Sequence, residues 1–250
     1  MQNLSIKSEL DYLLYGAQLC AEQKSGNDGI KQVAPYYASI PYNVNSVEIL
    51  NDLIDHLDDY FPDLIGHGRR RAEKAYSTLR GTATKPSYSG RIYGTDGQDI
   101  DQVDSMVKIF QKEPYSGGLV FNVFLPEDLQ KRQRPGYVPC LVSGSFLLER
   151  GELQLNVFFR SQSILEFGIF DLRFLRQFQI DITDRFNEVR PKRVPLIKPG
   201  TLNLSAGRVF IHRRLVKIGN YQFKKRDDIL ESWLNELQHF KLRNMAMLTH

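Results

Sequence analysis

Apolar residues recur at helical spacing in part of the first 85 positions, and the rest of that region is irregular. In segment 46–61 (SVEILNDLIDHLDDYF), Val47, Leu50, Ile54, Leu57 and Phe61 recur close to every third or fourth position. Acidic residues fill the opposite side, so the segment predicts an amphipathic helix. The basic run Arg69–Arg71 comes soon afterwards, and we interpret it as a solvated helix face.

A glycine-rich loop and then a second amphipathic helix are predicted before the middle of the chain. Segment 88–99 contains three glycines without the spacing of a phosphate-binding loop. Segment 99–114 begins with Asp99 and Asp101, either of which can cap a helix, and Pro114 ends it. The predicted buried stripe of this helix is Val103, Met106, Val107 and Phe110.

From Gly118 the apolar residues follow a period of two, which indicates β-strands. Segment 118–125 predicts one strand. Segment 140–161 predicts a hairpin that turns near Arg150-Gly151. In the second arm Leu153, Leu155, Val157 and Phe159 point one way, whereas Gln154, Asn156, Phe158 and Arg160 point the other way. The hairpin therefore places Arg160 roughly opposite Cys140.

The remaining segments complete an α+β pattern. An apolar helix is predicted over 163–182, a basic, proline-rich connection over 187–200, a strand over 200–215 and an amphipathic helix over 226–240. We expect one domain over 1–250, in which a mixed β-sheet is flanked by helices. Its residues 1–85 form a divergent helical part, and 86–250 supply the core sheet and helices.

Composition excludes several classes of protein. No stretch approaches about 18 uncharged apolar residues, so no membrane span is predicted. The acidic, weakly apolar N-terminus does not predict a secretory peptide. Cys20 and Cys140 are too far apart in sequence to suggest a disulfide framework, which favours a reducing, cytoplasmic setting. The five histidines do not cluster at metal-ligand spacing. A net charge of +4 permits an anionic ligand.

Cys140 has two interpretations at this point. A lone cysteine on an apolar strand is usually a small buried hydrophobe. An arginine beside it would instead lower the pKa of the thiol and favour a thiolate nucleophile. Arg160, opposite Cys140 in the predicted hairpin, is such an arginine, and it can also bind a phosphate through two hydrogen bonds.

The order of short motifs between Tyr93 and Asp171 resembles that of the thymidylate synthase superfamily, which includes the pyrimidine-nucleotide hydroxymethylases. The resemblance covers about a third of the chain. Its elements are Tyr93-Gly94, Asp101-Gln102, Glu113 to Gly118, Phe124-Leu125-Pro126, Pro139-Cys140-Leu141, Arg160-Ser161-Gln162-Ser163 and Gly168-Ile169-Phe170-Asp171.

The resemblance implies a thymidylate-synthase-like fold and a specific chemistry. Cys140 would be the nucleophile that adds to C6 of a pyrimidine ring, which activates C5 toward a one-carbon unit. Arg160 would contact the phosphate of the nucleotide, Ser161 would be its polar companion, and Tyr93 would belong to the substrate site. The family also implies 5,10-methylenetetrahydrofolate as the one-carbon donor and a homodimer whose subunits pack their sheets back to back.

Asp171 stands where the synthases have asparagine, and this favours cytosine over uracil. A carboxyl group accepts a hydrogen bond from the amino group of cytosine and, when protonated, donates one to N3. The cytidylate hydroxymethylases of the superfamily carry aspartate at this position. The alternative is an aspartate on a solvated helix turn.

Other positions depart from the family pattern. Gly117 and Gly118 replace the arginine pair that reaches the substrate phosphate across the dimer, so Arg132, Arg134 or another basic residue would have to substitute. Leu141 replaces a histidine, and Ser163 replaces the aspartate that serves the folate. His212 could take the place of a ribose-binding tyrosine. Asp58 and Asp59 lie in about the region of the family's catalytic glutamate.

A second hypothesis is a protein of the same fold that binds without catalysis. These departures could leave a nucleotide sensor or a protein that binds a larger polyanion such as a nucleic acid. Clusters of basic residues are the charge pattern expected for contacts with a phosphate backbone. They lie at Arg69–Arg71, Lys131–Arg134, Arg190–Arg193 and Lys224–Arg226.

Overall fold

Runs of helices and runs of strands follow one another along the chain, and the computed structural model describes residues 6–24, 30–77, 87–95, 100–130, 138–211 and 226–247. The helices in these ranges are α1 Glu9–Glu22, α2 Ser46–Tyr60, α3 Pro62–Ala75, α4 Tyr88–Ile92, α5 Gln102–Lys112, α6 Glu127–Gln130, α7 Gly168–Val189 and α8 Arg226–Met247. The strands are β1 Lys31–Val33, β2 Tyr36–Ile40, β3 Val120–Asn122, β4 Leu141–Glu149, β5 Glu152–Phe159, β6 Gln162–Ser163, β7 Lys198–Ala206 and β8 Val209–Ile211.

The strands form two mixed sheets, which confirms the predicted α+β class. The larger sheet has the order β2-β7-β5-β4-β3, in which β5 and β7 are parallel and the other neighbours are antiparallel. The smaller sheet has the order β1-β8-β6, with β6 and β8 parallel. Because β7 and β8 are consecutive but belong to different sheets, the chain changes sheet at the end of β7.

The predicted hairpin is present and brings residues 140 and 160 together. Its turn consists of Arg150 and Gly151, whose φ angles of 52° and 82° give the left-handed conformation that tight two-residue hairpin turns require. The buried side chains of β5 are Leu153, Leu155, Val157 and Phe159, as the alternation predicted. Beyond the ends of the paired strands, the Arg160 N–H donates to the Cys140 carbonyl at 2.9 Å.

Helix α7 packs against one face of the larger sheet and forms the centre of the core. Its buried residues Leu175, Phe178 and Ile182 contact the apolar side of the sheet, and α2, α3 and α5 pack around it. No described helix covers the opposite face of the sheet. That open face carries polar and apolar side chains in alternation: Tyr37, Ser39, Val120, Asn122, Ser143, Ser145, Leu147, Asn156, Phe158, Asn203 and Ser205.

Several predicted elements differ from the observed ones. Helices α2 and α5 are confirmed, and Asp101 caps α5 by accepting from the Asp104 N–H. The predicted loop at 88–92 is wrong, because Ser87 caps the short helix α4 there. The strand predicted over 118–125 is only three residues long. The strand predicted over 200–215 is divided by Gly207 and Arg208 into β7 and β8, within the part of it that the structure describes.

The N-terminal region also holds strands that the helical interpretation missed. Strand β2 pairs with β7 along its whole length, and β1 pairs with β8. The helix predicted from 163 begins at Gly168, because Gln162 and Ser163 pair with β8 instead. Among the described helices, none combines the length and the apolarity needed to cross a lipid bilayer.

Candidate active site

A cavity of about 490 Å³ lies where the start of β4 meets the end of β5 and the N-terminus of α7. Cys140, which precedes β4, and Ser161, which lies between β5 and β6, line it, and Asp171 lines it from the first turn of α7. Helix α3 and the residue that follows it, Tyr76, form the opposite wall. The structure therefore brings together three residues that the sequence placed in one site.

The Cys140 thiol has two polar neighbours. Its Sγ lies 3.8 Å from Nη2 of Arg160 and 3.9 Å from the hydroxyl oxygen of Ser161. The backbone N–H of Cys140 donates to the Tyr88 hydroxyl at 3.0 Å. Cys140 immediately precedes β4 and therefore lies outside the regular β4–β5 ladder, whose register shifts between Leu141 and Ser143. The thiol is half-buried and faces the cavity, whereas the Leu141 side chain is fully buried in the core.

Arg160 is held in place by acceptors of its own chain. Its Nε donates to the Pro139 carbonyl at 2.8 Å, and its Nη2 donates to the Val138 carbonyl at 2.7 Å. Its Nη1 donates to Ser161 at 3.2 Å. A guanidinium has five N–H donors, so these contacts use most of them. Arg160 therefore contributes a fixed positive charge beside the sulfur and has few donors left for a ligand.

Burial keeps the Cys140 thiol protonated, contrary to the expectation that Arg160 makes it a thiolate. Burial raises the pKa of Cys140, and this effect outweighs the opposing effect of the Arg160 charge. The negative charge of Asp171 raises the pKa further, whereas Ser161 and Arg71 lower it. Any nucleophilic reaction of Cys140 would therefore require the thiol to lose its proton.

Asp171 is a buried carboxyl group, which excludes the solvated helix turn as an interpretation. Only 7 % of its surface is exposed. Its Oδ1 accepts a short hydrogen bond from the Tyr76 hydroxyl, and its Oδ2 accepts one from Nε2 of Gln162 at 2.8 Å. Burial raises the pKa of Asp171 to about 6, although both hydrogen bonds lower it. The carboxyl can therefore act in its charged and its neutral form near neutral pH.

Gln162 and Tyr76 are oriented by further contacts. The Tyr12 hydroxyl donates to Oε1 of Gln162 at 2.5 Å, which directs the Gln162 amide group toward Asp171. The Tyr76 ring stacks on Phe174, with ring centroids 4.0 Å apart, and meets the edge of Tyr88. A hydrogen-bonded chain thus runs from the core to the cavity and fixes the position of the carboxyl group.

Helix α3 approaches the start of α7 closely because of Gly68. A Cβ atom at this position would lie 2.3 Å from the Glu166 carbonyl oxygen, so only glycine permits the contact. On the same wall of the cavity α3 places a stripe of polar side chains at helical spacing, which we call the α3 stripe: His67, Arg70, Arg71 and Lys74. Arg69 lies off the stripe and is paired with Asp58 at 2.9 Å.

The other residues singled out in the sequence lie elsewhere. Tyr93 packs edge-on against Phe178 and under Arg185, and it does not line the cavity. Gly117, Gly118, Asp58 and Asp59 do not line it either. Ser163 lines the cavity, and its hydroxyl donates to Glu166 at 3.3 Å. His212, Arg132, Arg134 and the cluster Lys131–Arg134 lie outside the described residues, as do Lys224 and Lys225.

Three contributors to the site were missed from the sequence. Tyr76 lies 95 positions from Asp171 in the sequence, and Gln162 lies 9 positions from it. No pattern in the sequence around either residue predicts its contact with Asp171. The α3 stripe did leave a signal, because His67, Arg70, Arg71 and Lys74 follow the i, i+3, i+4, i+7 spacing of one helix face. Arg69–Arg71 form one basic run in the sequence, which is compatible with a solvated face or a polyanion contact, and grouping the three arginines conceals that spacing.

Within the described ranges no three His, Cys, Asp or Glu side chains come close enough together to hold a metal ion. Comparison of the chain with protein-family models gives no match, and comparison with curated proteins gives none either. Function must therefore be argued from the geometry of the cavity.

Proposed function

We propose that the protein is a thymidylate-synthase-like transferase that modifies C5 of a pyrimidine nucleotide through a covalent adduct with Cys140. One observation carries the proposal: the Cys140 thiol and the buried Asp171 carboxyl group line one cavity, and the fixed guanidinium of Arg160 lies 3.8 Å from the sulfur. The motif order that resembles the synthase superfamily supports the same chemistry, and so does the mixed α+β fold. A one-carbon methyl or hydroxymethyl group would be the unit transferred.

The proposed first step is addition of the Cys140 sulfur to C6 of the ring. The thiol proton passes to solvent, an S–C6 bond forms, and the electron pair of the C5=C6 bond moves through C5 and C4 onto N3 of cytosine, or onto O4 of uracil. The positive charge of Arg160 beside the sulfur favours the developing thiolate. C5 then binds an electrophile or a proton, its original hydrogen leaves as a proton, and elimination of the sulfur restores the double bond.

Cytosine is the base that the surroundings of Asp171 favour. Of about four lone-pair positions on the carboxylate oxygens, Tyr76 and Gln162 occupy two, so acceptor capacity remains for an exocyclic amino group. Because the pKa of Asp171 is raised to about 6, a protonated carboxyl that donates to N3 costs little free energy near neutral pH. A uracil base offers the opposite donor and acceptor pattern.

The described residues do not fit the folate site of the family. The position of the folate-binding aspartate holds Ser163, whose hydroxyl donates to Glu166. Asp171 is the one carboxyl group among the described residues that line the cavity. The proposal therefore derives no step through 5,10-methylenetetrahydrofolate, and exchange of the C5 hydrogen is the reaction that tests it.

A homodimer is the second part of the proposal, and the open face of the larger sheet supports it. Tyr37 and Val120 are about half exposed, at 59 % and 47 %, and Phe158 and Leu147 are both 41 % exposed. A second copy of the chain would bury these side chains. Phe158→Lys should halve the mass of the particle in light scattering, whereas Leu242→Lys, a change at an exposed apolar residue outside this face, should not. A wild-type monomer at high concentration would contradict the dimer.

Tritium release from C5 tests the enzyme directly. We expect wild-type protein to release tritium from C5-labelled CMP or dCMP faster than from UMP or dUMP, without added folate. Cys140→Ala should abolish release, whereas Cys20→Ala should retain it, because Cys20 lies in the core on α1. Asp171→Asn should shift the preference toward uracil nucleotides, since an amide donates to O4 and accepts from N3–H. No release from any of the four nucleotides would refute the enzyme.

The non-catalytic hypothesis predicts a different outcome of the same experiment. The raised pKa of Cys140 favours it, because a protonated thiol is a poor nucleophile. In that case nucleotides would raise the melting temperature without tritium release, and Cys140→Ala would bind them as tightly as the wild type. A steep loss of RNA or DNA binding with added salt would point instead to a polyanion as the ligand.

A further inference from the structure

The α3 stripe is an arrangement of cations that the described part of the chain leaves without counter-ions. Arg70, Arg71 and Lys74 make no hydrogen bond or ion pair to any described residue, although Arg69 beside them is paired with Asp58. All three line the cavity that contains Cys140. The single acidic group among the described lining residues is Asp171, whose oxygens already accept from Tyr76 and Gln162.

Two observations associate Arg71 of this stripe with the interior of the cavity. The Arg71 guanidinium lies 5.2 Å from the centroid of the Phe167 ring, a cation–π contact that holds it above the cavity wall. The Arg71 charge is also close enough to the Cys140 sulfur to lower the pKa of that thiol. The positive charge of α3 and the nucleophile therefore belong to the same ligand-sized space.

His67 gives a second, independent indication that this wall of the cavity can bind a polar group. Its Nε2 is buried and has no hydrogen-bond partner among the described residues. Buried polar atoms are nearly always paired, so this atom beside the cavity requires a partner such as a water molecule or a polar group of a ligand. Burial and the charges of Arg71 and Arg70 lower the pKa of His67, and an anion close by would offset the effect of both arginines.

Arg160 cannot supply the anion site alone. Its donors are largely used by Val138, Pro139 and Ser161, and the glycines at 117 and 118 offer no side-chain donors. A phosphate group has several acceptor oxygens and about two negative charges near neutral pH, so it needs several cationic donors. Helix α3 provides them from the same subunit.

We propose that His67, Arg70, Arg71 and Lys74 form a phosphate-binding subsite that binds the phosphate group of the ligand whose base meets Asp171. The identity of that ligand as a nucleotide rests on the proposed function. The subsite belongs to one chain, so it does not require a residue from a partner subunit. It deepens the proposed function by assigning the phosphate group of the nucleotide to side chains of α3.

Calorimetric titration of the full-length protein with CMP, cytidine and inorganic pyrophosphate tests the subsite. We expect CMP to bind at least about 10-fold more tightly than cytidine, because charge-assisted hydrogen bonds to phosphate contribute that much. Arg70→Gln with Arg71→Gln should remove this difference by weakening CMP and pyrophosphate while leaving cytidine unchanged. Arg69→Gln is the matched control, since it removes an adjacent charge that Asp58 already neutralises, and its CMP affinity should stay within about twofold.

The possible outcomes separate the subsite from the proposed function. Equal affinities of the wild type for CMP and cytidine would overturn the subsite, as would an equal loss of CMP affinity in the double variant and in Arg69→Gln. If pyrophosphate binds and the double variant loses it while no pyrimidine compound binds, the subsite stands and the proposed function fails. If CMP releases tritium from C5 but the double variant binds CMP normally, the proposed function stands and the subsite fails.

Discussion

Cys20 and Cys140 are the two thiols of this chain, and they differ in the neighbouring groups that oppose the effect of burial on the pKa of the thiol. Cys20 is fully buried on α1, where its thiol donates to the Val209 carbonyl at 3.6 Å and burial raises its pKa to about 12. Burial also raises the pKa of Cys140, but Arg160, Ser161 and Arg71 oppose the shift there. Burial thus raises the pKa of both thiols, but Cys140 has a fixed positive charge beside it and lines a cavity, whereas Cys20 lies in the core.

Alkylation of the native protein should show the largest difference between the two thiols. With iodoacetamide at pH 8 we expect Cys140 to react at least about 100-fold faster than Cys20, because both the thiolate fraction and access to the reagent favour it. Mass spectrometry of the two cysteine peptides measures both rates in one sample. In denaturing urea the rates should become similar. Comparable rates in the native protein would contradict the distinction.

Arg160→Gln should bring Cys140 closer to the behaviour of Cys20. Loss of the adjacent charge removes the main effect that lowers the pKa of Cys140, and a shift of one pKa unit would slow alkylation at pH 8 about 10-fold. The rate at Cys20 in the same sample reports whether the fold has loosened. Arg69→Gln is the charge-matched control and should leave both rates unchanged. An unaltered rate at Cys140 would mean that Arg160 does not act on the sulfur.

Asp171→Asn should have a smaller effect in the opposite direction. Above the Asp171 pKa of about 6 this group is negatively charged and disfavours the thiolate, so its neutralisation should speed alkylation of Cys140 about threefold at pH 8. At pH 5 the wild-type carboxyl is mostly protonated, and the two proteins should react alike. Alkylation rates over pH 5 to 9 would show this convergence. A constant ratio across that range would contradict the predicted charge effect.

The sequence predicted those elements whose signals are local. The hairpin turn needs positive φ at Arg150 and Gly151, and the alternation in β5 identifies its buried face directly. The cap of α5 by Asp101 is also local. Strand β2 carries the same alternation at Tyr36, Ala38 and Ile40, but its five residues adopt a strand by pairing with β7, more than 150 positions later. That partner could not be inferred from the segment itself.

The site could be predicted only in part, for a similar reason. The register of the predicted hairpin was enough to predict that Arg160 lies beside Cys140. The protonation of the thiol could not be predicted, because it depends on how much solvent surrounding segments exclude. The contact of Tyr76 with Asp171 joins residues 95 positions apart. The spacing within α3 groups the α3 stripe on one helix face, but the packing of Gly68 against Glu166, which turns that face toward the cavity, has no local signal.

The backbone contacts of Arg160 mean that the positive charge beside the sulfur is in place before any ligand enters. A free arginine side chain loses about 2 kcal/mol of rotational entropy when it is immobilised. Here folding has already immobilised the guanidinium on the Val138 and Pro139 carbonyls, so binding does not incur that loss. A lysine has a single ammonium group at the end of a flexible chain and could not hold both carbonyls in the same planar geometry. Rigidity at this position thus makes Arg160 a fixed source of electric field on the sulfur rather than an adaptable ligand contact.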